Sequence, residues 1–229
     1  MKKVVIFILV TFNSLWATAQ CNDYYVLNEG TEWTYETYNN KNKLTGKTQQ
    51  SVKSFEKTPT GFTAIVTAVL YNEKGKEQTK GDLEMVCTNG TFLIDMRKFI
   101  SEEQQKMFAS YKMAVQSENL ELPSKLTVGQ TLKDGSITLT AEGSPLPMKM
   151  SVTVYDRKVE GKETITTPAG TFECFKISSK SKVNTQMGIT MNLNFSGVEW
   201  FALKVGMVKS ESFDKNGKSS GYTQLAAYK

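Results

Sequence analysis

Histidine is absent from all 229 residues. That removes the Ser-His and Cys-His nucleophile systems, the imidazole ligands of zinc and the commonest general base near neutral pH. Beyond the N-terminus, no run stays apolar for the roughly 20 residues that a membrane-spanning helix needs, so no transmembrane span is expected. There is no single basic stripe. The lysines fall in turns such as Asn39-Asn40-Lys41-Asn42-Lys43 and Asn72-Glu73-Lys74-Gly75-Lys76, with acids interleaved, and they read as solvated hairpin tips. Nucleic acid is therefore not an expected partner. Nothing in the chain spells a cofactor motif, and none is expected.

Cysteine is scarce: Cys21, Cys87 and Cys174 allow one disulfide and one leftover thiol. Cys174 sits inside the apolar run from Phe172 to Ile177, whereas Cys21 stands where a covalent tie would suppress fraying of the chain's start. The expected pair is Cys21 with Cys87.

The first twenty residues carry an address. Lys2 and Lys3 precede an apolar run from Val4 to Phe12, and Ala17-Thr18-Ala19 supplies the small residues of a cleavage site. Residues 1–19 are read as an export signal and 20–229 as a single β-rich domain in the periplasm or at the outer membrane. Gln20, directly before Cys21, argues against lipidation of that cysteine.

After this segment, apolar and polar residues alternate with period two in short runs, as in Trp33 and Tyr35 against Thr34 and Glu36. Eleven or more strands are expected, among them Gly61 to Tyr71, Met148 to Tyr155, Glu163 to Thr167, Ile189 to Phe195 and Val198 to Leu203. Asn89-Gly90 and Asn216-Gly217 suit two-residue hairpins, and Thr167-Pro168-Ala169-Gly170 suits a type I turn. One segment breaks the pattern. Ser101 followed by Glu102, Glu103 and Gln104 reads as a capping box, and Met107, Phe108, Tyr111, Ala114 and Val115 form a stripe. This predicts a helix over about 101–116. The expected fold is mainly β: an antiparallel, strongly curved sheet or incomplete β-barrel with that helix packed on its concave face.

Candidate chemistry is thin. Two S-x-x-K matches, Ser54 to Lys57 and Ser179 to Lys182, fall in strand or turn segments without the companion motifs of penicillin-recognising enzymes. Asp82 and Glu84 share a strand face, as solvated carboxylates commonly do. Met148 with Met150, and Met187 with Met191, put pairs of thioethers on strand faces; they fit a soft Cu(I) site or, better, adaptable lining for a lipophilic ligand. Trp33, Tyr35 and Trp200 belong to aromatic clusters that suit a stacking platform or the inward face of a barrel. Met148, Met150, Met187, Met191, Trp33, Tyr35 and Trp200 are thus the candidate ligand-binding residues. No catalytic residue and no metal site is assigned.

The early C-N-D-Y-Y-V-L-N-E-G-T-E-W-T-Y, the central E-T-I-T-T-P-A-G-T-F-E-C-F-K and the late V-E-W-F-A-L-K-V-G-M-V-K-S-E-S resemble the TapB-like exported proteins of unknown function. That resemblance implies a distant likeness to the open β-barrels of bacterial lipoprotein carriers, whose curved sheet shelters acyl chains beneath helices. The expected function is noncatalytic binding of a lipid or amphiphilic small molecule in the cell envelope. The alternative is an interaction protein that docks an envelope protein through a sheet edge or an aromatic patch.

Overall fold

The structure is a computed structural model describing residues 24, 25, 27–99, 111–143 and 148–229. The expected export signal over 1–19, Cys21 and residues 101–110 of the expected helix lie outside the described residues. Thirteen strands form one antiparallel sheet: β1 (Glu32–Asn39), β2 (Leu44–Thr58), β3 (Gly61–Asn72), β4 (Glu77–Thr88), β5 (Thr91–Ile94), β6 (Lys112–Glu118), β7 (Leu120–Pro123), β8 (Gly135–Glu142), β9 (Met148–Thr167), β10 (Gly170–Met187), β11 (Ile189–Ala202), β12 (Gly206–Phe213) and β13 (Ser219–Tyr228).

The order across the sheet is β6-β8-β9-β10-β11-β12-β13-β1-β2-β3-β4-β5-β7. Laid flat, thirteen strands would hold the two edges about 58 Å apart at about 4.8 Å per step. Yet the edge strands β6 and β7 are separated in the chain by the single residue Asn119. The sheet must curl until its edges meet, giving a nearly closed barrel with a seam between β7 and β8. Among the described residues no ladder crosses this seam. Gly135 lets the strands approach there, since a Cβ on it would lie 2.7 Å from Leu120 Cδ2. Arg157 stitches the two sides, its Nη1 donating to the carbonyls of Glu121 at 2.9 Å and Lys133 at 2.6 Å.

The expected helix on the concave face is overturned. Residues 112–116 lie in β6, paired antiparallel with β8 from Lys112–Glu142 to Glu118–Ser136. Among the described residues there is no α-helix, only a 3-10 segment over Met96–Phe99. Tyr111 and Met113 also satisfy a period of two, and both pack on the wall of the barrel; strand pairing overrides a local signal worth little by itself.

Two expected pairs of strands prove to be single long ones, 163–167 joining 148–155 in β9 and 198–202 of the expected 198–203 merging with 189–195 in β11. Asn89-Gly90 makes the expected tight turn, with φ of 50° and 76°. Asn216-Gly217 does not; it lies in a five-residue loop spanning Asp214 to Lys218 in which only Gly217 takes positive φ, at 77°. That loop has two counterparts. Asn39, Asn72 and Asp214 each accept backbone N–H bonds two and four residues on through Oδ1, at 2.8–3.1 Å. The residue three on is Asn42, Gly75 or Gly217, each in the left-handed region, and a lysine follows.

The barrel interior is filled at one end by a cluster including Trp33, Val66, Val159, Ile177, Val208 and Leu225. A second cluster, with Met96, Leu120, Ile137, Leu139, Met150 and Val152, clothes one wall of the other half. Cys87 is disulfide-bonded and Cys174 is a buried free thiol. Burial alone raises the Cys174 pKa to about 11.

Candidate functional site

A cavity of about 700 Å³ occupies the half of the barrel left unfilled. It exists because the inward positions of neighbouring strands are small: Ser179 and Ser181 on β10, Gly197 on β11, Ser210 and Ser212 on β12, and Thr223 on β13 all line it. Their cross-strand registers agree, with Ser179 opposite Gly197, Gly197 opposite Ser212 and Ser210 opposite Thr223. Thr37 on β1 continues the hydroxyl wall. The facing wall is apolar, built from Met150, Val152 and Val154 on β9, Val183 on β10, and Leu193 and Phe195 on β11.

At the floor stand two ionisable groups, Arg157 and Glu199. Arg157 is only 3 % exposed. Its burial lowers its pKa, while the charges of Glu199, Asp134 and Glu121 work the other way. Glu199 looks into the cavity and is partly buried among the strands; that desolvation raises its pKa above the usual carboxylate value, and Arg157 only partly offsets it. Two phenols join the same interior. Burial pushes Tyr25 up to about 12, against a hydrogen bond with the Met207 backbone, and the Glu199 charge adds to the rise. Tyr35 is raised well above the ordinary tyrosine range, by burial first and then by Tyr25. Deep in the barrel, therefore, the groups are held toward their neutral, proton-bearing forms around one guanidinium. Of these groups Arg157 and Glu199 line the cavity, where the guanidinium can donate hydrogen bonds to a polar headgroup, and the walls above offer one apolar and one hydroxyl face.

Of the sequence-derived candidates, Met150 lines this cavity. Met148 is half-buried against the second cluster, and Met191 is 55 % exposed on the inward face of β11 beyond the cavity. Met187 pairs with Met148 across β10 and β9, and its side chain is outside the described set. Trp33 belongs to the filled end, its Nε1 donating to the Val205 carbonyl at 2.9 Å, and Tyr35 is buried in the same cluster. Trp200 is away from the cavity lining. Its Nε1 donates to Glu163 at 2.8 Å, and the ammonium groups of Lys176 and Lys209 lie 5.7 and 5.2 Å from its ring centre. The serines, Arg157 and Glu199 were missed. A period-two count carried through β10 would have put Ser179, Ser181 and Val183 on one face, but no local pattern marks Glu199.

The profile of the DUF3108-like family matches residues 28–225. The chain belongs to that family. Its DUF3108-like fold is shared with a crystal structure of a candidate lipoprotein from Parabacteroides distasonis ATCC 8503, 25% identical, with a TM-score of 0.73 over 91% of this chain and 99% of that one. A candidate exported protein with a YmcC-like fold from Bacteroides fragilis NCTC 9343 is 23% identical, with a TM-score of 0.70 over 91% of this chain and 100% of that one. No curated protein matches. The barrel-like part of the expected resemblance agrees with these findings, whereas the TapB-like name finds no support in them.

Proposed function

We propose that this DUF3108-like protein is a noncatalytic exported protein of the cell envelope, in the periplasm or at the outer membrane, that holds one lipophilic or amphipathic molecule in its barrel. One observation carries the reading: a cavity of about 700 Å³ with an apolar wall facing a hydroxyl wall above a buried Arg157. That size and mixture suit a molecule with a tail and a polar head. The export signal read from residues 1–19 and the lipoprotein and exported-protein names of the structural relatives support the address.

The test is to purify the protein gently from its native envelope, extract it with organic solvent and weigh the extract by mass spectrometry beside that of Gly197→Leu. A Cβ at Gly197 meets only ordinary contacts, 3.6 Å from the Glu211 carbonyl and 3.7 Å from Ser179 Oγ, so a larger side chain grows into the void. The expected result is a stoichiometric amphiphile on the wild type and its loss from the filled variant. Equal, empty extracts would sink the reading.

A further inference from the structure

The cavity opens at one end of the barrel, and registers identify what rims it. Asn39 pairs with Gly221, Gly46 with Asn72 and Phe213 with Ser219, so the loops β1–β2, β3–β4 and β12–β13 lie at that same end. Residues 40–43, 73–76 and 214–218 carry six exposed lysines, Lys41, Lys43, Lys74, Lys76, Lys215 and Lys218, against two acids, Glu73 and Asp214. The hairpin loops of the opposite end, 59–60, 89–90, 168–169 and 203–205, carry one charge, Lys204. Scattered in sequence, the lysines are gathered by topology.

The rim is also cut obliquely. The last β11–β12 pair is Ser196 with Phe213, so residues 189–195 of β11 run on past β12 for about 23 Å of strand. On that overhang Ile189, Met191, Leu193 and Phe195 are 77, 55, 47 and 39 % exposed. Leu193 and Phe195 line the cavity, so by alternation all four face the opening. Residues 148–155 and 180–196, which build this wall, contain Lys149, Lys180 and Lys182 and no acid. Lys180 pairs with Asp156 at 3.0 Å, and the nearby Glu142 is paired with Lys112 at 3.1 Å.

We propose that this end of the barrel docks on an anionic lipid bilayer, the β10–β11 tip entering the interface and the loop lysines meeting lipid headgroups. The tip supplies buried apolar area and the rim supplies charge, the two terms that hold a peripheral protein on a membrane. A bilayer accounts for both features at once, whereas a protein strand added along the free β11 edge would leave the lysine loops unexplained. The edge amides stay at headgroup depth, where water pairs them. The apolar stripe then runs unbroken from the bilayer to the cavity wall.

The test is flotation of the full-length mature protein with vesicles of mixed phosphatidylglycerol and phosphatidylcholine and with vesicles of phosphatidylcholine alone. Wild type is expected to float with the anionic vesicles and to be released by salt. Ile189→Ser/Met191→Ser is expected to bind at least tenfold more weakly, and Lys43→Gln/Lys76→Gln/Lys218→Gln on the order of 100-fold more weakly, each with unaltered circular dichroism. Gly197→Leu is expected to float as wild type does, which separates this proposal from the cavity's occupancy. Wild type that stays unbound with both vesicles overturns it. So does a tip variant that floats undiminished, or wild type whose tip is consumed in a dimer that Ile189→Ser/Met191→Ser dissolves.

Discussion

Arg157 does two jobs with one guanidinium: it bonds carbonyls on both sides of the seam, and it is the cation nearest in effect to the partly buried Glu199. The carboxyl's folded pKa lies above its ordinary value of 4.5, because desolvation outweighs Arg157. The sign of its pH effect follows. Its contribution to stability is complete below the unfolded pKa and is lost as pH rises through the raised value. Glu199→Gln, neutral at every pH, is expected to match wild type in urea denaturation at about pH 4 and to exceed it at about pH 8. A variant weaker than wild type at the higher pH would mean that the pairing with Arg157 dominates.

Among the elements, the three lysine-tipped loops share one mechanism, in which a short polar side chain closes the turn on two backbone N–H groups. Asn72→Ala removes both bonds and is expected to cost about 1 kcal/mol, read from urea midpoints. Asp214→Asn is expected to cost almost nothing, since Asn39 and Asn72 make the same bonds without a charge. Strands such as β3 were legible in the sequence because Phe62, Ala64, Val66 and Ala68 alternate with polar or partly exposed neighbours along one buried face. The segment at 112–116 was not, because Tyr111, Ala114 and Val115 fit a helical stripe while Tyr111 and Met113 fit a strand face, and only the presence of β8 decides between them. The cavity was illegible for a related reason. It is a shortage of volume shared by residues from Thr37 to Thr223, and no window of sequence contains it.

For the whole molecule, the decisive pairing joins the two ends of the described chain: β1 and β13 lie side by side in the middle of the sheet order, from Trp33–Tyr228 to Asn39–Gly221. Most ladders join strands consecutive in the chain, but this one closes nearly all of the described chain into a loop, so completion of the sheet waits on the C-terminal strand. Removing residues 219–229 cuts the ladder into two blocks, β6-β8-β9-β10-β11-β12 and β1-β2-β3-β4-β5-β7, with no ladder between them. That truncated chain is expected to lose cooperative unfolding by circular dichroism; a sharp transition retained would show that the blocks fold apart.

The seam gives the barrel a property that its thirteen ladder-joined strands alone would deny it. A closed hoop has a fixed bore, because widening it breaks a ladder somewhere. A split ring widens by parting at its gap, and here the gap lies beside Leu120, which lines the cavity, with Arg157 as the clasp. Widening the bore here would break two hydrogen bonds and part Leu120 from Gly135, and it can go only as far as the Asn119 link between β6 and β7 allows.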